Sequence, residues 1–399
     1  MKREKPRTII NRRLKSTLPK AANDPKAARE FLEQLYIYED IFYINDDTLE
    51  MIKEYSDKGN GYAEFAYARY HACTSPAEDS QNIAMEYYKK AYANGIADAG
   101  IGMALATYYG RGCQPNRERY KELIEEAQAA GSRFAKYLTV RETLYGWRKR
   151  PINPGKALTT INKFIQQDGE ESIIWNSLKA KAIETIYGLS AATPYIEKVA
   201  EKGSISGWDR LFIARSYHDD LERYDKEIFN KEIKRAMDME SGLAYFLKAE
   251  LNEYNKESVP LLEKAFKLGD DDAACRIGDL YFYHLEKDEN PFRKAQEYYL
   301  KGFKYDNSLC AEKLVEMWEK GYAELDESTL ENIIIVGARM DSERLIVKAV
   351  ERYREGGMEQ YAQEIEKYFV PDYDNLKDTE FEEYFPDMPD DDGRNDAYA

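Results

Sequence analysis

The residue types that most often bind metals or act as nucleophiles are scarce in this 399-residue sequence, which contains three histidines and four cysteines. The cysteines form no C-x-x-C motif and have no histidine at the spacing of a zinc site. They are Cys73, Cys113, Cys275 and Cys310. We therefore expect reduced thiols and no metal or cofactor.

Catalytic motifs give no positive signal either. No Ser-His-Asp order, G-x-S-x-G elbow or phosphate-binding loop occurs. His218 and His284 occupy equivalent positions two repeats apart, about 20 Å at the spacing of packed helices, so they cannot share a metal. The acidic stretch that ends at Gly393 lacks the first ligand and the bidentate glutamate of a calcium loop. We predict no catalytic, cofactor-binding or metal-binding residues, and an enzyme remains only a remote alternative.

A recurring pair of positions organises most of the chain. Eight residues at helix-ending positions are each followed four places later by a small residue, and successive positions are 29 or 35–37 residues apart. We call these the anchors: Gly59, Gly95, Gly131, Asp168, Gly203, Glu240, Gly269 and Asp306. Their small partners are Ala63, Ala99, Ala135, Ser172, Gly207, Ala244, Ala273 and Cys310. A period of this length is typical of a helical repeat array.

The residues around each anchor predict two helices. Mostly apolar residues lie eleven, seven and four places before it, which is the i, i+4, i+7 stripe of a first helix. Glycine at the anchor ends that helix in a left-handed conformation, so Glu240 is a departure. The small residue marks a close crossing by a second helix. The predicted fold is all-α, an α-solenoid of about eight antiparallel helix-pair repeats with a period of about 36 residues and helical caps.

One repeat resembles a known family. Residues 84–116 read AMEYYKKAYANGIADAGIGMALATYYGRGCQPN, with an alanine, paired aromatics, Lys-Ala before a glycine, and a later G-x-G loop. This is similar to the Sel-one-like repeat (SLR), a relative of the tetratricopeptide repeat. The resemblance covers about residues 48–325. It implies an α-solenoid that assembles or regulates protein complexes, often in bacteria, and it implies no catalysis.

The chain divides into five predicted parts. Residues 1–20 are expected to be a basic flexible arm, 21–47 an N-terminal capping helix, and 48–328 the repeat solenoid. Residues 329–370 are expected to be a divergent C-terminal helical cap, and 371–399 an acidic disordered tail.

Charge and hydropathy limit the partners. The formal net charge is −16, so nucleic acid is not expected as a partner. The longest purely apolar run is residues 333–336, far short of the roughly 20 residues that span a bilayer. No signal peptide is apparent, which favours a cytoplasmic protein.

Two sets of residues are candidates for partner binding. The residue five places before the anchor is basic in six of the eight repeats, and tyrosines recur eight places before it. The first set is Tyr87, Lys90, Lys163, Tyr195, Lys198, Arg235, Lys264, Tyr298 and Lys301. The second set comprises three aromatic residues of the tail, Phe381, Tyr384 and Phe385. Both patterns also have an ordinary interpretation, as a solvated helix face, packing aromatics and a solubilising tail.

We therefore predict a non-enzymatic scaffold or adaptor that binds a partner protein through a concave first-helix surface or the tail. An alternative is an immunity or inhibitor protein that neutralises a basic effector or toxin, because an acidic body would steer that association. The sequence does not fix the partner or the oligomeric state.

Overall fold

The computed structural model describes residues 4–75, 77–114, 116–146, 152–168, 172–216, 226–251, 255–285, 289–305, 307–340 and 342–369. Regular structure within these ranges is helical, with no strand. The predicted all-α class and solenoid architecture are confirmed.

Three helices precede the repeats: α1 (Pro6–Ala21), α2 (Pro25–Gln34) and α3 (Tyr38–Ile41). The repeats alternate first and second helices in chain order, and each helix packs on the next. They are α4 (Asp46–Asp57), α5 (Gly61–Thr74), α6 (Glu78–Ala93), α7 (Asp98–Tyr109), α8 (Arg117–Ala129), α9 (Arg133–Tyr145), α10 (Pro154–Asp168), α11 (Ile173–Tyr187), α12 (Leu189–Glu201), α13 (Ile205–Ser216), α14 (Lys226–Asp238), α15 (Gly242–Glu250), α16 (Ser258–Lys267), α17 (Asp272–Asp279), α18 (Pro291–Lys304) and α19 (Ser308–Glu319).

Three more helices follow the repeats: α20 (Glu327–Arg339), α21 (Glu343–Glu355) and α22 (Glu359–Phe369). A π-helical turn, Leu280–His284, extends α17. The predicted acidic tail, residues 371–399, lies outside the described residues.

The anchors end the first helices in the left-handed conformation. The φ angles of Gly59, Gly95, Gly131, Gly203 and Gly269 lie between 77° and 92°. Glu240 also takes this conformation, with a φ of 66°, although a side chain disfavours it. Helix α10 ends at the anchor Asp168, and Asp306 lies outside the described residues.

The small residues after the anchors serve two purposes. Ala63, Ala99, Ala135, Ala244 and Ala273 are fully buried, as a close helix crossing requires. Several of the small residues also donate their backbone N–H to the capping side chain that directly follows the anchor. The donor and acceptor residues of these bonds are Ala63 and Asn60 (3.1 Å), Ala135 and Ser132 (3.0 Å), Gly207 and Ser204 (3.3 Å), Ala244 and Ser241 (3.1 Å), and Cys310 and Asn307 (3.0 Å).

The prediction of a flexible arm over residues 1–20 is wrong for residues 6–20. These residues belong to α1, in which Ile10, Leu14 and Leu18 are buried. Their spacing of four residues puts them on one helix face, and burial of that face stabilises the helix. The single capping helix predicted for residues 21–47 is also wrong, since α2 and α3 both form there.

Candidate functional site

The interior of the solenoid holds a segment of the chain itself. Residues 33–43, which we call the inner segment, span the end of α2 and all of α3. Phe31, Leu35, Tyr36, Ile41 and Tyr43 in and beside it are almost completely buried. Hydrophobic burial on this scale places the inner segment in the core of the fold.

Polar side chains of the inner segment bond to successive repeats. Tyr36 donates through its hydroxyl to Asp98 in the second repeat, and Tyr43 donates to the carbonyl of Glu240 in the sixth at 2.6 Å. Glu33 accepts from Arg133 in the third repeat and Ser172 in the fourth. Asp40 contacts the fifth repeat, so the inner segment forms hydrogen bonds with five successive repeats, from the second to the sixth.

Asp40 contacts the start of α13. Its Oδ1 accepts from the backbone N–H of Ile205 at 2.7 Å and from the Ser204 hydroxyl at 3.3 Å, and its Oδ2 accepts from Gln34 at 3.0 Å. The first N–H groups of a helix have no partner within the helix, so a carboxylate there satisfies them. Burial raises the pKa of Asp40 well above its usual range, and the Ile205 N–H opposes that rise.

A buried ion pair holds the other end of the inner segment. The Glu33 carboxylate lies 2.5 Å from the guanidinium of Arg133, and 5% of its side chain is exposed. Burial raises the pKa of Glu33, while the charge of Arg133 and the Ser172 hydroxyl lower it. A buried ion pair needs such extra hydrogen bonds to offset the cost of desolvation.

The second helices enclose the inner segment. Helix α2 packs on α5 and α11, and α3 packs on α5 and α13. The Tyr36 ring stacks on Phe134 of α9 at a centroid distance of 4.7 Å. Since second helices line the interior, first helices form the outer layer. The prediction of a concave first-helix surface is therefore wrong.

The predicted tyrosines and lysines pair on the outer layer. Lys90 lies 4.3 Å from the ring centroid of Tyr87, and Lys301 lies 4.1 Å from that of Tyr298. Lys198 is 6.0 Å from the Tyr195 ring. Each pair is three residues apart on one helix face, the spacing at which a cation reaches a neighbouring ring. The lysines are exposed and the rings are half-buried.

The other predicted basic residues remain separate on the outer layer. Lys163, Arg235 and Lys264 are exposed. Arg235 forms an ion pair with Glu232 at 2.6 Å, and Lys90 forms one with Glu86 at 2.6 Å. Acidic neighbours therefore interrupt the basic row. The tail candidates Phe381, Tyr384 and Phe385 lie outside the described residues.

A cavity of about 340 Å³ is lined by the inner segment, by α5, α6, α7 and α9, and by Met340 at the end of α20. Three arginines line it: Arg69, Arg111 and Arg141. Its aromatic wall consists of Tyr36, Tyr38, Tyr88, Tyr109, Phe134 and Tyr137. Sequence reasoning missed this site because its residues come from distant positions.

Histidine and cysteine positions fit structural roles. His71 is half-buried between the rings of Tyr67 and Tyr70, and burial lowers its pKa. His218 lies outside the described residues. The four cysteines are free thiols. Among the residues that the structure describes, no group of three or more metal-binding side chains converges, and no helix is long and apolar enough to cross a membrane.

Known proteins of similar architecture share little sequence with this chain. No protein-family model matches the sequence, and no curated protein is similar to it. A protective antigen of uropathogenic Escherichia coli with an SLR fold is 15% identical, with a TM-score of 0.36 over 86% of this chain and 83% of that chain. A Sel1 repeat protein from Oxalobacter formigenes is 14% identical, with a TM-score of 0.36 over 74% and 87%.

Yeast Tom70 is 11% identical, with a TM-score of 0.48 over 94% of this chain and 85% of that chain. Two of these three structures carry the SLR type of repeat that residues 84–116 resemble.

The packing of α1 against the fold was not predicted, although its signal is present in the sequence. Ile10, Leu14 and Leu18 repeat every four residues, which indicates a helix with one apolar face. The bonds of Glu33 and Asp40 to serines far along the chain have no local signal. Nothing in their spacing indicates which repeat they contact.

Proposed function

We propose that this chain is a non-enzymatic α-solenoid that binds a partner protein through its outer, first-helix layer. The observation that carries the proposal is the recurrence of the tyrosine–lysine pairs there, at Tyr87/Lys90, Tyr195/Lys198 and Tyr298/Lys301. The inner surface of repeats two to six is occupied by residues 33–43.

The chemistry of the pairs favours an acidic partner segment. A half-buried tyrosine ring gives contact area at a small entropic cost, and an exposed ammonium beside it attracts a carboxylate. Tyrosine is among the residues enriched at interface hot spots. An extended acidic segment that crosses several repeats would meet the same pair of side chains again.

The test is affinity purification from the native host followed by mass spectrometry. We expect the wild-type chain to retain a partner that the triple variant Lys90→Glu, Lys198→Glu, Lys301→Glu loses by at least about tenfold. A matched control reverses three exposed lysines outside the first helices, Lys20, Lys26 and Lys320, with the same change in net charge. Equal loss in both variants would mean that net charge, and not this surface, decides binding.

The immunity or inhibitor alternative is favoured by the net charge of −16. An acidic body attracts a basic effector at long range. In that case purification returns one dominant basic protein, and the triple lysine variant binds it at least as tightly as wild type. A chain that ends at residue 370 tests whether the acidic tail supplies the contact, since the tail carries eleven acidic residues against two basic ones.

A further inference from the structure

Two neighbouring first helices end in a group of four lysines. Helices α16 and α18 each carry two basic residues in the last turn, whereas the other first helices of the repeats carry one or none there. The four lie five and two places before the anchors of repeats seven and eight, and we call them the lysine cluster: Lys264, Lys267, Lys301 and Lys304. The Tyr298 hydroxyl of α18 donates to Glu263 of α16 at 2.5 Å, so the two helices lie side by side.

The side chains of the lysine cluster are exposed and form no ion pair within the described ranges. Lys301 lies over the Tyr298 ring instead, 4.1 Å from its centroid. The one acidic residue of each helix bonds elsewhere, because Glu263 accepts from Tyr298 and Glu297 pairs with Arg293 at 3.2 Å. Like charges held close together repel, so an anionic segment at the lysine cluster lowers the free energy.

The chain itself contains a segment of complementary charge. Residues 378–392, which we call the acidic segment, hold eight acidic side chains and no basic one. Three aromatic residues are interspersed with the carboxylates: Phe381, Tyr384 and Phe385. The half-buried rings of Phe266 and Phe303 directly precede Lys267 and Lys304 and offer apolar contact beside the charges. The acidic segment and the lysine cluster therefore match in charge and in apolar character.

The acidic segment begins within reach of the lysine cluster. Short turns make successive helices antiparallel, so α22 ends at the same edge of the solenoid at which α16 and α18 end. Two and three helix pairs separate Phe369, the last residue of α22, from the ends of α18 and α16, which is about 20–30 Å at the spacing of packed helices. The residues 370–378 can extend over about 30 Å. Carboxylates from residue 378 onwards can therefore lie over the lysine cluster.

We propose that the acidic segment binds the lysine cluster of the same molecule. The tether gives this contact a high effective concentration, so modest pairwise attractions are enough to keep it formed. A bound acidic segment would cover Lys301, which belongs to one of the tyrosine–lysine pairs. An acidic partner would then have to displace it there. This consequence rests on the proposed function, whereas the intramolecular contact does not.

Zero-length cross-linking of the purified full chain tests the contact. A carbodiimide joins a lysine amine to a carboxylate that touches it, and an equal mixture of isotope-labelled and unlabelled chains shows whether both groups come from one molecule. We expect the acidic segment to cross-link to the lysine cluster at least about fivefold more than to Lys156 and Lys231, which are exposed lysines of α10 and α14. An even distribution over all of these lysines would overturn the proposal, and so would cross-links that form mainly between labelled and unlabelled chains.

Acetylation rates of the same lysines provide a second test that keeps the whole cluster in place. The tail variant Glu380→Lys, Glu382→Lys, Glu383→Lys should raise the acetylation rate of the lysine cluster at least about threefold, because the acidic segment no longer covers it. The matched control has the same change in net charge at exposed glutamates of other helices: Glu50→Lys, Glu125→Lys, Glu331→Lys.

The control variant should leave the acetylation rate of the lysine cluster unchanged, and a melting curve for each variant confirms that it is folded. An unchanged rate in the tail variant, or an equal rise in both variants, would contradict the proposal. No partner is present in either experiment, so a negative result here does not bear on the proposed function.

Discussion

The Tyr43 hydroxyl donates a hydrogen bond of 2.6 Å to the backbone carbonyl of Glu240, 197 residues further along the chain. Glu240 has a φ of 66°, a conformation that costs a residue with a side chain about 1–2 kcal/mol. Lys5 and Arg7 of the N-terminal region also form ion pairs with its carboxylate, at 3.5 Å and 3.1 Å. The N-terminal region thus stabilises a turn at which five of the other repeats have glycine.

Asp40 provides a direct measure of how much the inner segment stabilises the fold. We expect Asp40→Ala to lower the free energy of unfolding by about 1–3 kcal/mol, because the Ile205 N–H and the Ser204 hydroxyl lose a buried acceptor. Urea unfolding monitored by circular dichroism measures the loss. Asp47→Ala, at a side chain that is 81% exposed, is the control and should change stability little. Equal stability of the two variants would show that the inner segment contributes little.

The Glu33–Arg133 ion pair predicts a non-additive result. Arg133→Met should lower the free energy of unfolding by about 3–5 kcal/mol, because it leaves the buried Glu33 carboxylate without its cation. The double variant with Glu33→Gln should recover part of that loss, since the remaining amide is neutral and can still accept from Ser172. Chemical unfolding of both variants checks this. A double variant less stable than Arg133→Met would contradict the interpretation.

Stability should fall as pH rises through neutrality. Burial raises the pKa of Asp209 to about 8 from the usual 3.8, against the opposing hydroxyl of Ser241. The unfolded chain gives up this proton at lower pH than the folded chain, so the folded state loses stability between the two pKa values. Burial raises the pKa of Asp270 to about 7, which acts in the same direction.

Melting temperatures at about pH 5 and about pH 9 test this sign. Asp209→Asn is expected to reduce the loss between the two pH values, because asparagine does not ionise and can still accept from Ser241. Asp47→Asn is the exposed control and should keep the wild-type loss. A wild-type chain that gains stability over this range would show that other groups dominate.

The repeat framework could be predicted because its causes are local. Gly95 ends its helix through its own backbone freedom, and Ala99 is buried four residues later, as is the small residue at that position in the other repeats. The serine and asparagine caps after the anchors are visible in the sequence too, at Asn60 and Ser132 for example.

The interior could not be predicted because its contacts are distant in sequence. Tyr36 bonds to Asp98 over 62 residues, and Glu33 bonds to Ser172 over 139. The charge of residues 1–20 predicted a solvated arm. These residues instead pack on the fold, because α1 has an apolar face and forms an ion pair with Glu240. The cavity depends on the same long-range placement, since its arginines come from three different repeats.

The small residues after the anchors provide a test of the repeat register itself. Ala99→Leu and Ala273→Leu should each lower the free energy of unfolding by about 1–3 kcal/mol, because both sites are fully buried at close helix crossings and added carbons force the helices apart. Ala129→Leu, at an exposed position of a first helix, is the control with the same added volume. Thermal melting of the three variants separates the two cases. Wild-type melting of both core variants would mean that the crossings can accommodate larger side chains, and that the small residues do not set the distance between the helices.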